Sequence, residues 1–450
     1  MPDVSATRLK EIIQMAYPMQ KQLARLESLF DSLWPMHRTI IGKNFDDSLA
    51  IIEQYWEYPW DVIYRIPSGT ELPGGWVVPK GWECKEGYIE GDHGQRLIDY
   101  SQSTLRVISH SKSIDERGLT WDELSKNLHR SSSFPNAIPY ITSYYSDINW
   151  GFSVTWDEYE KIRNFYKGGR VRISTAEYNG HLSIAERHFG NTDNYIIVST
   201  YLCHPSMANN ELSGPLVVAA LIERLENAAP CEAPIGVKFL MWPETIGPIA
   251  YKHIQADRLR SGQKPVPVIH LSCLGLDRPS FEIVGGRSHS WNLQIAKALN
   301  GDDSTILDWR HRGSDERQFN FPSSRYYSAT VGRGMFGTYP EYHTSADDKD
   351  FISFPCIIDA ADKIYNFLSM AMCIERPFYF LDNEPFLSKF ELYPSISRGA
   401  NKSMGKALCE LLYYCDGLRT KHEIACAIPW RSEHELQELF KLGYELGYLK

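Results

Sequence analysis

YIIVSTYLCHPSMANNELSGPLVVAALIERLEN, residues 195–227, decides the fold. Its first eight residues form a mainly apolar run of strand length, the pattern of a strand buried on both faces. From SGPL onward, leucine, valine and alanine return at helical spacing. A polar loop, CHPSMANNEL, separates the two. A strand, a loop and a helix in that order form half of a βαβ unit. The unit recurs downstream. IGVKFLMW (235–242) precedes TIGPIAYKHIQADRL (245–259), and PVPVIHLSCLGL (265–276) precedes SHSWNLQIAKALN (288–300). DFISFPCIIDAADKIYNFLSMAMC (350–373) closes the series. Residues 181–378 therefore read as an α/β domain with a parallel-rich sheet flanked by helices.

Working outward, residues 1–60 read as helices belonging to this domain, with apolar positions three and four apart. Residues 61–180 change texture. Short apolar runs punctuated by Gly, Pro, Trp and Tyr suggest a small β-rich unit. LTWDELSKNLHR interrupts it with a capping-box pattern, Thr120 followed by Glu123, that opens a helix. Residues 384–450 read as three helices with short joints, a winged-helix-like unit.

At 450 residues the chain exceeds one compact core. Its hydrophobic fraction of 43% and charged fraction of 23% are those of a globular protein and exclude disorder, collagen and coiled coil. No apolar run reaches the length of a membrane span. The N-terminus lacks the apolar core of a signal peptide. Nine scattered cysteines without a CxxC pair suit reduced thiols in a cytoplasmic protein.

The chemistry is sought where parallel strands end, because ligands gather outside their carboxyl edge. CHPSMANNELSG follows the first strand and PETIG the next, while PEYHTSADDKDF precedes the closing helix. These loops offer His204, Glu244 and His343. Two imidazoles and a carboxylate on separate loops can build an open zinc site, with the carboxylate as general base. Each histidine alone also suits a surface or core position, and Glu244 also suits a helix N-terminus. In GSDERQF, Asp315, Glu316 and Arg317 suit either a solvated loop or a substrate contact. Arg333 is a candidate clamp for a substrate carboxylate. Tyr342 is a candidate oxyanion partner or a packed ring. Cys203 abuts His204, but nucleophilic Cys–His pairs come from distant parts of a chain.

The signatures PSGTELPGGWVVPKGW, IPYITSYYSDINWGF, CHPSMANNELSG, PETIG, GSDERQF and PEYHTSADD resemble, in order, a family of aminopeptidase-like proteins linked to bacterial polysaccharide biosynthesis. The resemblance implies a zinc-aminopeptidase fold with an inserted β domain and a C-terminal winged helix. It places the GSDERQF motif beside the site. It puts His204, Asn210 and His343 on metal-ligand positions and Glu244 on that of the general base. Three positions depart from the two-metal pattern. Asn210 stands for an aspartate ligand, Thr245 for the second residue of a Glu-Glu pair, and Ser272 for another aspartate. The resemblance therefore implies one divalent ion, zinc, rather than two.

The function expected is a metal-dependent amide hydrolase acting on a small amine-containing substrate or short peptide. The alternative is a metal-free or altered-site relative that binds a ligand or catalyses different chemistry. A membrane or nucleic-acid partner is not expected, and a homo-oligomer is compatible with the sequence. Between Glu384 and Lys450, nine basic residues face nine acidic ones, and the whole chain carries −9. Duplex binding needs a surplus of positive charge. The full-length protein, titrated with duplex DNA at about 0.15 M salt, is expected to show no association. Salt-sensitive binding in that titration would contradict the charge count.

Overall fold

A computed structural model of the protein describes residues 19–144, 149–228, 233–256, 264–302, 305–393 and 403–450. The expected helical stretch before Met19, Cys231 and part of the IPYITSYYSDINWGF motif lie outside the described residues.

The apolar runs form the centre of an eight-stranded sheet. Its four inner strands lie in the order Gly236–Trp242, Tyr195–Tyr201, Val266–Leu271, Tyr326–Gly332, all parallel. His181–Phe189 and then Val62–Pro67 extend one side with antiparallel pairing. Glu282–Val284 and Ile306–Leu307 extend the other. Val62–Pro67 thus belongs to the large sheet, although its texture groups it with the β-rich stretch. It is an edge strand and largely exposed.

Helices cover both faces, which is why the inner strands lack polar alternation. Ile196 and Val198 point to a core shared with the helices Met19–Leu33, Ser213–Asn227 and Phe354–Ala371. Ile197 and Tyr201 point to the opposite core, against the helix Ile246–Ile254. The fold is the mixed α/β arrangement expected from residues 195–373.

Between Gly81 and Tyr178 lies a second sheet, ordered Arg96–Asp99, Gly81–Glu90, Arg170–Tyr178, Ile114–Arg117. It has its own core, including Trp82, Ile89, Phe152 and Val171. The capping box of Thr120 and Glu123 is present, opening the helix Trp121–Ser125. At the C-terminus the helices Met404–Tyr414, Lys421–Ala427 and Glu433–Glu445 enclose Leu408, Leu411, Leu412 and Phe440. The Ser290 hydroxyl donates to Glu423 at 2.7 Å and ties this unit to the α/β layer. None of the eight described cysteines is in a disulfide. Among the described residues, no helix is long and apolar enough to cross a membrane.

Where the first helices meet the small sheet, Trp82 packs between two histidines, with ring centroids 5.5 Å from His37 and 5.8 Å from His110. Nε2 of each histidine is buried without a hydrogen-bond partner among the described residues. Burial, aided by Arg38 and His110, pushes His37 down to about 3, and burial pushes His110 down to about 4. Both rings are therefore neutral in the folded protein at pH 7. The unfolded chain binds protons at these sites below its ordinary value of 6.5, before the folded chain does. Their contribution to stability is complete above that pH and declines as the pH falls toward 4. His110 has a φ of 66°, a conformation that asparagine tolerates. His110→Asn is expected to reduce the loss of Tm between pH 7 and pH 5. An unchanged loss would contradict this assignment.

Candidate functional site

Four parallel strands bring four chain exits to one edge. The segments 202–206, 243–245 and 272–275 and Arg333 leave the sheet there. Four of the six non-glycine residues with positive φ among the described residues lie in the loops at this edge: Ser206, Thr245, Cys273 and His343. Such conformations cost energy and concentrate where surrounding contacts over-determine the backbone.

His204 is held at several atoms. Its backbone N–H donates to Glu211 Oε1 at 2.8 Å, and its carbonyl accepts from Arg38 Nη2 at 2.9 Å. Glu211 Oε2 lies 2.8 Å from the ring nitrogen Nδ1. The other ring nitrogen, Nε2, faces Glu244 Oε2 at 3.6 Å. Burial opposes charge on this ring, but Tyr140 and the Glu211 carboxylate outweigh it and raise the imidazole well above its ordinary value. His343 is affected oppositely. Burial, followed by His204 nearby, pushes it well below. The two rings lie 5.5 Å apart between centroids, and Tyr140 packs against both, at 5.0 and 5.1 Å. Tyr342 stacks flat on His343 at 4.1 Å, so its ring acts as packing.

Asn210 lies in a π-helical turn, Ala208–Leu212, that feeds the helix Ser213–Asn227. Such turns recur at functional sites. Asp347 holds the turn: its carboxylate accepts from Asn209 N at 2.6 Å and Asn210 N at 2.9 Å, and its carbonyl from Ala208 N at 2.8 Å. The Asn210 amide nitrogen donates to the Tyr201 hydroxyl at 2.9 Å. Its Oδ1 is buried without a hydrogen-bond partner among the described residues.

Glu244 is oriented from behind. Ser314 Oγ donates to its Oε1 at 2.9 Å and lies 3.4 Å from His270 Nε2. Burial raises the Glu244 carboxyl above its ordinary value, against the opposing influence of His204, Ser314 and Arg317. Asp315 and Glu316 do not face a substrate. Asp315 accepts from Trp242 Nε1 at 2.7 Å and Thr245 N at 2.6 Å. Glu316 accepts from Gly313 N at 2.7 Å and Thr330 Oγ1 at 2.8 Å. Both are buried carboxylates whose donors come from the protein, as burial of charge requires. Arg317 stays partly exposed, and its Nη2 donates to Thr245 Oγ1 at 3.1 Å. Arg333 is not a substrate clamp. It is buried, donates to the Cys356 carbonyl at 2.6 Å and pairs with Asp359 on the closing helix. Burial pushes the Cys203 thiol up to about 11 despite His204, and its sulfur accepts from Glu244 N at 3.3 Å. It is not an activated nucleophile.

The family described as "Domain of unknown function (DUF4910)" matches residues 27–373. The chain belongs to that family. A Clostridium acetobutylicum protein named for polysaccharide biosynthesis and an aminopeptidase-like domain is 28% identical over 404 residues, 88% of this chain and 90% of that one. The resemblance drawn from the motifs is thus borne out. A crystal structure from Clostridium acetobutylicum, described as a peptidase, superposes with a TM-score of 0.73 at 25% identity, covering 99% of both chains. A zinc aminopeptidase of Bacillus subtilis superposes with a TM-score of 0.53 at 13% identity, covering 80% of this chain and 96% of that one. This DUF4910 chain has the zinc-aminopeptidase fold.

Motif reading found His204, Asn210, Glu244 and His343, which the structure brings together. It offered Glu211 as a substitute ligand beside Asn210, whereas the structure turns that carboxylate onto His204, and it did not find the roles of Asp347, His270 or Ser314. All four lay inside quoted motifs, but only the folded chain shows which side chains turn inward. Cys203, His204 and Glu211 offer donor atoms within 4.8 Å of one another. That group is fully buried behind the His204 ring, with Nδ1 already against Glu211, and does not form an open site. Beyond that group, the donor atoms this edge offers are His204 Nε2, the His343 ring and Asn210 Oδ1, which has no hydrogen-bond partner among the described residues. Two imidazoles and an amide oxygen fit one zinc ion. They do not fit two, because Thr245 Oγ1 is taken by Arg317 and Ser272 Oγ by Tyr201 at 2.7 Å.

Asp347→Ala would strip the side-chain acceptors from two backbone N–H groups under the site. Each buried donor left unpaired costs roughly 1–3 kcal/mol. Denaturant unfolding is expected to show a loss in that range or above. A loss below about 0.5 kcal/mol, the size of an ordinary surface substitution, would show that the turn does not depend on Asp347.

Proposed function

We propose that this chain hydrolyses amide bonds in small amine-containing compounds or short peptides, with one divalent ion, zinc, held by His204, His343 and Asn210. The observation that carries the proposal is the approach of His204 Nε2 to Glu244 Oε2 at 3.6 Å, with the His343 ring centroid 5.5 Å from that of His204. The aminopeptidase-like naming of the Clostridium acetobutylicum relative supports the same class of reaction. A zinc ion at those donors would polarise the scissile carbonyl and acidify a water molecule.

The chain's own residues do the rest. Glu244 takes the proton of the attacking water at Oε2 and passes it to the leaving amine. Its raised pKa suits a group that must both accept and release a proton near neutrality. Ser314 fixes the other carboxylate oxygen, so Oε2 is the one that turns to the reaction. Arg317 places a permanent positive charge beside Thr245, where it attracts the carboxylate end of a short peptide. Tyr140 and Tyr144 roof the pocket, with Tyr144 Oη donating to the Cys203 carbonyl at 2.9 Å. This roof, part of what we read as a domain inserted over residues 61–180, restricts entry to small substrates and excludes water. The three C-terminal helices, read as a winged-helix-like unit, act as a packing or subunit-contact module rather than a nucleic-acid reader.

The neutral amide at Asn210 favours a second reading, a metal-free relative that binds a ligand or performs other chemistry. Metal analysis of protein purified without chelators separates the two. One equivalent of zinc is expected, lost in His204→Ala. Glu244→Gln is expected to retain zinc and lower hydrolysis of aminoacyl amides by at least 100-fold. Absence of bound metal together with absence of hydrolysis would overturn the proposal.

A further inference from the structure

Glu211 is fully buried, and the hydrolytic steps above assign it no part. We infer that Glu211 is the positioning residue of the site: it fixes His204 so that only Nε2 is presented to the pocket. The inference rests on the reading of His204 as a zinc ligand.

Both oxygens of Glu211 serve the same residue. Oε1 accepts from the His204 backbone N–H at 2.8 Å, and Oε2 lies 2.8 Å from Nδ1. Oε2 sits off the ideal N–H axis and makes no aligned hydrogen bond. The distance still decides the proton's place. An Nδ1 without hydrogen, at that separation, would set its lone pair against a carboxylate oxygen. The favourable state keeps a proton on Nδ1, so that Nε2 is the nitrogen whose lone pair can serve a metal once its own proton is released. A partner on one ring nitrogen is what fixes the tautomer and basicity of a histidine that binds metal through the other.

The carboxylate is placed for this task and no other. Its turn, Ala208–Leu212, is pinned by Asp347, so Glu211 cannot swing outward without breaking those bonds. Arg38, also fully buried, donates from Nη2 to the His204 carbonyl at 2.9 Å and from Nη1 to the Leu33 carbonyl at 2.5 Å. Glu211 raises the affinity of the Arg38 guanidinium for its proton against the effect of burial. A buried carboxylate with a cation and a backbone donor beside it is sustainable, whereas a lone one is not. His204 is thereby held at its backbone nitrogen, its carbonyl and its ring. The negative charge lies behind the imidazole, while the pocket side of the same turn carries the neutral Asn210.

The test uses the full chain, freed of metal and labelled with 15N-histidine, followed by titration with zinc alone. The wild-type His204 resonance is expected to report a proton on Nδ1. Glu211→Gln is expected to weaken zinc binding roughly 10- to 100-fold and to shift that resonance. Glu211→Asp, which keeps the charge, is expected to fall between the two. An unprotonated Nδ1 in the wild type would overturn the inference, as would unchanged zinc affinity and an unchanged resonance in Glu211→Gln. If Glu211→Gln does not fold, the wild-type resonance decides alone. If the wild type binds no zinc, the metal part of the proposed function fails, and the resonance still decides the role of Glu211.

Discussion

A glycine set against two strands controls where the site forms. A Cβ on Gly214 would stand 2.2 Å from Thr200 Oγ1 and 2.7 Å from the Leu271 carbonyl oxygen. Those two atoms are themselves joined by a 2.9 Å hydrogen bond. The helix Ser213–Asn227 therefore begins in direct contact with two adjacent parallel strands, at the crevice where the strand order reverses. That contact fixes residues 204–213 over the crevice. Everything the loop carries, from His204 to Ser213, inherits its position from the absence of one side chain.

The electrostatic character of the pocket follows from what occupies the strand ends. Where the resemblance expects carboxylates, Asn210, Thr245 and Ser272 are neutral. The interior keeps its carboxylates for bracing instead. Asp315 holds Trp242 and Thr245, Glu316 holds the loop at Gly313, and Asp347 holds the π-helical turn. Burial pushes Asp347 up to about 7 even though backbone donors oppose it. The strand-end loops are left with two imidazoles, one amide oxygen and one carboxylate as donors, beside the Arg317 guanidinium, which has no lone pair to offer a cation.

The pocket is also built from distant chain. Tyr140 and Tyr144 come from the middle of the β-rich stretch, and Pro139 pairs with Thr344 beside His343. The Tyr140 N–H donates to the His343 carbonyl at 2.7 Å, which helps hold that residue in its positive-φ conformation. The small sheet thus contributes a wall of the site as well as a separate core.

Three of the four inner strands and the helices between residues 195 and 373 were legible from the sequence, because a strand buried on both faces is mainly apolar and an amphipathic helix repeats every three to four residues; the inner strand Tyr326–Gly332 and the short strands Glu282–Val284 and Ile306–Leu307 were not. The strand-end loops were legible for the same reason, and with them His204, Glu244 and His343. Other features were not. Val62–Pro67 joins the large sheet through pairing with a strand more than a hundred residues away, and no local pattern encodes that partner. Arg333 directly follows an inner strand as a catalytic residue would, yet Asp359 and the Cys356 carbonyl claim it from a later helix. Asp315 and Glu316 read as loop charges, but tertiary packing turned both inward. Glu211 sat in plain view between Asn210 and Leu212. Its position behind His204 depends on a π-helical turn pinned by Asp347, 136 positions downstream. Residue type and spacing determine which elements form. The direction a polar side chain faces is set by donors and acceptors that only the folded chain brings within reach.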